Sequence, residues 1–245
     1  MDAKTFAPLY RLIRWSIACF YKMEVVGAEN LPEGAAVLVG NHAQMHGPIA
    51  CELFFPENRY TWCIGEMMHL KEVPAYAFQD FWSMKPRSVR WLYRIASYLI
   101  APLSVVVFNN ANTIPVYRDM RLVSTIRTTV KRLQEGAKIV IFPEKSEPYN
   151  NILNGFQEHF IDVAQFYHRR TGEELAFVPM YIAPALKKLY LGKPLRFRAD
   201  QPIEEERERL CRALQEEITR IARSLPRHTV IPYVNMPKKD YPTNK

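Results

Sequence analysis

Apolar residues recur at helical spacing near the start of the chain. Across residues 6–23 the apolar side chains stand three or four positions apart, and Arg11 and Arg14 lie off that face. The apolar positions are Leu9, Leu12, Ile13, Ile17 and Phe20. This spacing predicts an amphipathic helix, which either packs on the rest of the protein or lies in a membrane interface.

Short apolar runs alternate with amphipathic stretches through the rest of the chain. The runs that predict buried strands are Val37–Val39, Val105–Val116, Lys138–Phe142 and Ala176–Ile182. The stretches that predict helices begin at Pro48, Leu122, Phe156 and Glu204. The helix from Leu122 is predicted to end near Gly136 and the helix from Phe156 near Gly172, while the helix from Glu204 reaches Leu225. The alternation predicts an α/β fold, a sheet flanked by helices.

The longest apolar run extends from Trp91 to Phe108 and contains Arg94 and Pro102. A membrane span needs roughly 20 apolar residues, so the run is marginal in length. We predict a buried helix followed by a strand, with shallow membrane insertion as the alternative.

The length of 245 residues fits one α/β domain with an N-terminal extension. We predict an amphipathic helix over residues 1–23, the α/β domain over 24–225, and a basic C-terminal tail over 226–245.

The charge balance is basic, with 33 Lys plus Arg against 25 Asp plus Glu. This excess favours an anionic partner such as a lipid surface or a phosphorylated substrate. We expect no nucleic acid partner, because zinc-finger spacing, an RRM signature and an arginine-rich arm are all missing from the sequence. The four cysteines are far apart and form no Cys-x-x-Cys pair, which suits a reducing cytosol.

The first candidate site is the stretch from Asn41 to Pro48, which follows the predicted strand Val37–Val39. His42, at the end of that strand, is a candidate general base because its ordinary pKa lies near neutrality. His42 and His46 have the spacing of a metal-binding pair, but no Glu follows His42 and no third ligand is evident. We therefore expect no metal and no cofactor.

Further candidates follow the other strands. Arg118 closes the apolar stretch Ile114–Val116, where its guanidinium could bind a phosphate, although an ordinary surface arginine would look the same. The strand Lys138–Ile141 continues into the candidate substrate-binding residues Phe142, Pro143, Glu144, Lys145 and Ser146. The alternative there is a simple turn in which Pro143 ends the strand.

Taken in order, these blocks resemble the glycerolipid acyltransferase family, whose lysophosphatidic-acid acyltransferases are typical members. The matching residues are Asn41 and His42, then Ile114 to Arg118, then Phe142-Pro143-Glu144, then Val178-Pro179-Met180-Tyr181-Ile182, with Gly192-Lys193-Pro194 resembling the family's closing strand. The resemblance covers roughly residues 24–225.

The resemblance implies an acyltransferase that moves a fatty acyl group from acyl-CoA or acyl carrier protein to a lysophospholipid-type hydroxyl. His42 would be the general base, with Asn41, Gln44 and His46 around it, and Arg118 and the residues near Glu144 would hold the acceptor. It also implies a location at the cytoplasmic face of a membrane, to which the basic charge would bind the protein peripherally.

Two positions depart from the family pattern. Gly47 stands where the family carries an Asp that orients the imidazole, and the candidates to replace it are His46, Gln44 and Glu52. In the third block Lys145 replaces a Gly and Glu147 stands where an Arg is frequent.

These departures leave a rival from another class, a non-catalytic protein that binds lipid or acyl carrier on the same fold. A hydrolase that uses His42 to activate water is a third alternative, although no Gly-x-Ser-x-Gly elbow occurs in the sequence. A nucleotide-binding enzyme is disfavoured, because neither a P-loop nor a Gly-x-Gly-x-x-Gly motif occurs.

Overall fold

The computed structural model describes residues 6–55, 58–83, 85–117 and 119–245. Contacts between Cα atoms divide the chain into two compact units. The first comprises Met1–Tyr21 and Trp62–Thr125, and the second comprises Lys22–Thr61 and Ile126–Lys245.

The helices and strands follow one another along the chain as follows. The helices are α1 (Ala7–Phe20), α2 (His46–Phe54), α3 (Val73–Ala77), α4 (Arg90–Asn110), α5 (Leu122–Gln134), α6 (Asp162–Thr171) and α7 (Ile203–Ser224). The strands are β1 (Glu24–Val26), β2 (Ala36–Gly40), β3 (Arg59–Ile64), β4 (Thr113–Val116), β5 (Lys138–Ile141), β6 (Glu144–Pro148), β7 (Asn154–Phe156), β8 (Ala176–Ala183), β9 (Lys188–Leu191) and β10 (Leu195–Arg196).

The second unit is built on a mixed sheet with the strand order β1-β9-β8-β2-β5-β3. The neighbours β8, β2, β5 and β3 are parallel, whereas β9 and β10 both pair antiparallel with β8. Every residue of β2, β5 and β8 is buried, as expected for parallel strands with continuous apolar sequences. The prediction of an α/β fold with a helix-flanked sheet is confirmed.

The long helix α7 packs against β8 and supplies much of the apolar cover of this sheet. Its charged sequence leaves one apolar stripe, in which Leu210, Leu214 and Ile218 are fully buried. The predicted ends of α5 and α6 are confirmed, because Gly136 and Gly172 both adopt the left-handed conformation that closes a helix.

One predicted helix start is wrong. The helix expected from Phe156 begins as α6 at Asp162, and Phe156 instead ends β7. The strands β6 and β7 form an antiparallel hairpin directly after β5, and this hairpin carries several of the candidate site residues. Its polar sequence, from Glu144 to Pro148, has no strand-like alternation from which it could be recognised.

The first unit is helical, with a core of Met67, Val73, Ala77 and Ala101. The predicted helix followed by a strand is present as α4 and β4, but the boundary between them and the burial of the helix were predicted wrongly. α4 continues without a break to Asn110, and the strand β4 begins only at Thr113. Moreover, only 22% of the apolar window in α4 is buried.

The segment Arg87–Asn110 is, among the described residues, the helical stretch long and apolar enough to cross a membrane. The N-terminal helix α1 lies within the range predicted for it and packs against α4. None of its residues is buried, and Phe20 is 92% exposed. The predicted boundaries at residues 23 and 225 stay predictions.

Candidate active site

The sheet brings the first and third sequence blocks together. β2 and β5 are parallel neighbours with Val39 opposite Ile141, so the residues that follow each strand emerge at the same edge. There the backbone N–H of His42 donates a hydrogen bond to Oε2 of Glu144 at 2.5 Å. The predicted proximity of His42 and Glu144 is therefore present in the structure.

Glu144 is buried, and both of its carboxylate oxygens accept backbone hydrogen bonds. Oε1 accepts from the N–H of Asn154 at 2.9 Å, so the side chain joins the end of β2 to the β6–β7 hairpin. Burial raises the pKa of Glu144 to about 7, although the bonds from Asn154 and His42 oppose that rise. This geometry gives Glu144 a positioning role, and its predicted contact with substrate stays a prediction.

Two aromatic rings lie beside the imidazole of His42. The Phe142 ring meets it edge-on with 5.1 Å between the ring centroids, and the Tyr233 ring does so at 5.9 Å. Burial lowers the pKa of His42, and a hydrogen bond with the backbone of Gln44 partly offsets that effect. The lowered pKa favours the unprotonated ring, which is the form that can accept a proton.

Both polar atoms of the Asn41 side-chain amide form hydrogen bonds with β8. Its Nδ2 donates to the carbonyl oxygen of Ile182 at 3.1 Å, and its Oδ1 accepts from the N–H of Ile182 at 2.7 Å. Asn41 thus fixes the end of β2 against β8, on the strand that carries the predicted Val178–Ile182 block. The geometry supports a positioning role for this predicted catalytic residue.

The backbone turns sharply after His42. Ala43 and Gln44 both have left-handed conformations, with φ of 47° and 54°, which non-glycine residues rarely adopt in succession. The turn leads into α2, whose first turn contains Pro48 as predicted. The Nε2 of Gln44 donates to the hydroxyl of Tyr241 at 3.1 Å.

His46 begins α2 and is partly buried. Its burial lowers its pKa, and the positive charge of Lys238 lowers it further. Among the described residues no group of three His, Cys, Asp or Glu side chains has the arrangement of a metal site.

The space that an Asp side chain at position 47 would need is filled. A Cβ on Gly47 would lie 2.5 Å from the carbonyl oxygen of His42 and 2.9 Å from Cε1 of Phe142. The predicted substitute Glu52 contacts the buried guanidinium of Arg59 at 2.7 Å. Of the candidates to orient His42, Gln44 lies in the left-handed turn that directly follows it.

The remaining predicted substrate-binding residues lie in different surroundings. Pro143 is buried, and its carbonyl oxygen accepts from the N–H of Gln157 at 2.8 Å. Lys145 and Ser146 are exposed on β6, and their carbonyl oxygens both accept from Nδ2 of Asn154. Arg118 lies outside the described residues.

Sequence reasoning missed the contribution of the C-terminal segment. Tyr233 and Tyr241 lie in the stretch predicted as a basic tail, far in sequence from His42 and Gln44. The only signal in that stretch was its pair of tyrosines, since it has no periodic pattern that would predict packing.

No family model and no curated protein matches this sequence. Among solved structures, the chain is similar to the 1-acyl-sn-glycerophosphate (LPA) acyltransferase PlsC from Thermotoga maritima, with 14% sequence identity and a TM-score of 0.44. The match covers 87% of this chain and 78% of that one.

Proposed function

We propose that the protein is an O-acyltransferase that moves a fatty acyl group from acyl-CoA or acyl carrier protein to the hydroxyl of a lysophospholipid or related glycerolipid. One observation carries the proposal: Oε2 of Glu144 accepts the backbone N–H of His42 at 2.5 Å, a contact that joins the Asn-His block to the Phe-Pro-Glu block. The spacing of these blocks is what the family resemblance rests on.

In the proposed reaction His42 accepts the proton of the acceptor hydroxyl as that oxygen attacks the carbonyl carbon of the thioester. An ester C–O bond forms, the C–S bond breaks, and the departing thiolate takes the proton from the imidazolium. Holding the two substrates in this geometry supplies a large part of the rate, so no covalent enzyme intermediate is required. The lowered pKa of His42 keeps the base in its accepting form at neutral pH.

We further propose that the protein acts as a peripheral protein on the cytoplasmic face of a membrane, where its lipid acceptor resides. The supporting features lie in the first unit, where α1 and α4 leave large apolar side chains exposed. These side chains include Leu12, Trp15 and Phe20 on α1, and Trp91, Tyr98 and Leu99 on α4. Arg11 and Arg14 on α1 add positive charge suited to anionic lipid.

The test is acyl transfer by the purified protein. Acyl-CoA and acyl carrier protein donors are supplied in turn with a panel of lysophospholipids, and ester product is measured by mass spectrometry. Thiol release without acceptor is measured in parallel, because a hydrolase would release thiol at the same rate in its absence. The expected result is ester formation that requires the acceptor. Thiol release at the same rate with and without acceptor would refute the proposal.

A second function is favoured by a specific observation. Phe142 fills the space beside Gly47 where the family's carboxylate would lie, as a protein that has lost catalysis would allow. Such a protein would bind lipid or acyl carrier without turnover. It predicts saturable binding of donor or lysophospholipid in a calorimeter with no ester formed, whereas measurable transfer would exclude it.

A further inference from the structure

The C-terminal segment, residues 226–245, is hydrogen-bonded near both of its ends to other parts of the second unit. Asn244 is fully buried, and its Nδ2 donates to the carbonyl oxygen of Ala222 at 2.8 Å while its Oδ1 accepts from the N–H of His228 at 2.9 Å. The His228 ring meets the hydroxyl of Tyr181 with 2.8 Å between Nε2 and the oxygen. The two ends also lie side by side, because Thr229 and Thr243 form an isolated antiparallel bridge.

The stretch between these ends, residues 231–240, is partly or fully exposed and forms a loop closed at its base. Its fixed base resembles that of an Ω-loop, whose ends lie close together. Two tyrosines of the C-terminal segment contact residues of the candidate site. The ring of Tyr233 meets the ring of His42, and the hydroxyl of Tyr241 accepts a hydrogen bond from the side chain of Gln44.

The contact of Tyr241 falls on a strained part of the backbone. Ala43 and Gln44 are both left-handed, a conformation that is sterically unfavourable for residues other than glycine. Such a turn persists only where its surroundings hold it. The hydrogen bond from Gln44 to Tyr241 is a contact that can hold it, because it fixes the residue at which the chain reverses.

The position of this turn matters for His42. Gly47 offers no carboxylate to orient the imidazole, and no room for one. Gln44 follows His42 by two residues and belongs to the same left-handed turn. A contact that holds Gln44 in its left-handed conformation therefore also restrains the backbone turn that begins at His42.

We propose that Tyr241 is a positioning residue for the His42 site, holding the left-handed turn at Gln44 in place of the family's carboxylate, while Tyr233 covers the imidazole. The C-terminal segment is then a working part of the site and not a free tail. The inference deepens the proposed function, since it concerns the residue assigned there as the base. The contact itself exists whether or not acyl transfer is observed.

The test measures how fast diethyl pyrocarbonate modifies each histidine, read by peptide mass spectrometry at neutral pH. This readout needs no turnover, so its failure is distinguishable from failure of the proposed function. Tyr241→Phe removes only the hydroxyl that Gln44 contacts. A lost hydrogen bond of ordinary strength should raise the modification rate of His42 about 3- to 10-fold.

His159, whose side chain is 79% exposed, serves to normalise the rates. The buried His228 reports detachment of the whole segment. Tyr149→Phe is the matched control, because it removes the hydroxyl of an exposed tyrosine elsewhere in the same unit. It should leave the rate at His42 unchanged.

A double-mutant cycle separates positioning from general support. Glycine adopts the left-handed conformation without strain and has no side chain to reach Tyr241. In a Gln44→Gly background, Tyr241→Phe should therefore leave the rate at His42 unchanged. An unchanged rate in the single variant, an equal rise in the Gln44→Gly background, or a parallel rise at His228 would each overturn the proposal.

Discussion

At the scale of single residues, Gly47 decides what can lie beside His42. Its missing side chain leaves room for the Phe142 ring, which approaches the imidazole edge-on. A helix ordinarily gains up to about 1 kcal/mol when Gly is replaced by Ala. At Gly47 the contact with backbone outweighs that gain, because the carbonyl oxygen of His42 lies in the way.

We predict that Gly47→Ala and Gly47→Asp both lower the free energy of unfolding, by about 1–3 kcal/mol, as overpacking does. Gly34→Ala is the control, since a Cβ there meets no atom within 4 Å. It should change stability by less than about 1 kcal/mol. Urea denaturation measures all three. A Gly47→Asp variant as stable as the wild type, with faster acyl transfer, would contradict this account of the missing carboxylate.

Glu144 makes stability depend on pH in a direction opposite to that of most carboxylates. Its pKa rises from 4.5 to about 7 on folding, so between those values the folded state retains a proton that the unfolded chain has released. Its contribution to stability is thus fully present below pH 4.5 and is lost as the pH rises through about 7. The loss is on the order of 3 kcal/mol.

Glu144→Gln removes this titration and keeps the shape of the side chain. We predict that the free energy of unfolding of the wild type, minus that of Glu144→Gln, decreases by about 3 kcal/mol from pH 4.5 to pH 8. Glu147→Gln, on the same strand but exposed, is the control and should show no comparable change. A constant difference across this range for Glu144→Gln would mean that the Glu144 carboxyl is not held as described.

At the scale of secondary-structure elements, the site depends on how β2 ends. Asn41 binds both the N–H and the carbonyl oxygen of Ile182, so it ties β2 to β8 immediately before His42. Asn30 offers a natural comparison, because its side chain makes one hydrogen bond with the described residues, from Nδ2 to the carbonyl oxygen of Leu191 at 3.0 Å.

We predict that Asn41→Ala lowers the free energy of unfolding by about 2–4 kcal/mol, since it leaves buried backbone groups of β8 without partners. Asn30→Ala, at a partly buried position with one bond, should cost about 1 kcal/mol. Thermal or urea denaturation compares them. Equal costs at the two positions would show that the second bond of Asn41 adds nothing.

The elements that the sequence pattern predicted well are those whose apolar residues follow a regular pattern. β2, β5 and β8 are continuous apolar runs, and α7 is a long amphipathic stretch, so each follows from the spacing of its apolar residues. α4 could not be predicted correctly in the same way. An apolar run looks alike whether it is buried in a core or partly exposed, and here only 22% of the apolar window is buried.

At the scale of the whole molecule, the candidate site was predictable only in part. Parallel strands end at one edge of a sheet, so His42 and Glu144 could be expected to meet once β2 and β5 were recognised. Tyr233 and Tyr241 could not, because their contacts join residues nearly 200 positions apart through an irregular segment. The filling of the space at Gly47 by Phe142 likewise depends on packing that no local pattern encodes.

The exposed apolar side chains of α1 lead to a prediction about membranes. Burying one aromatic side chain gains about 1.5–3 kcal/mol, so replacing it by a charge should weaken membrane binding at least about tenfold. We predict this for Trp15→Glu and Phe20→Glu with vesicles of phosphatidylcholine and phosphatidylglycerol, measured by co-sedimentation. Phe166→Glu, at an exposed aromatic residue in the second unit, should bind like the wild type. Equal binding by all variants would remove α1 from the proposed membrane surface.

The central claim is that His42 is the base of an acyl transfer, and its most direct test is the initial rate of ester formation by His42→Ala. Loss of a general base typically costs about 100- to 10,000-fold in rate, so we expect a loss in that range with the fold intact by circular dichroism. His159→Ala, at an exposed histidine in the same unit, should retain the wild-type rate. Undiminished transfer by His42→Ala, or no transfer by the wild type with any donor and acceptor, would contradict the claim.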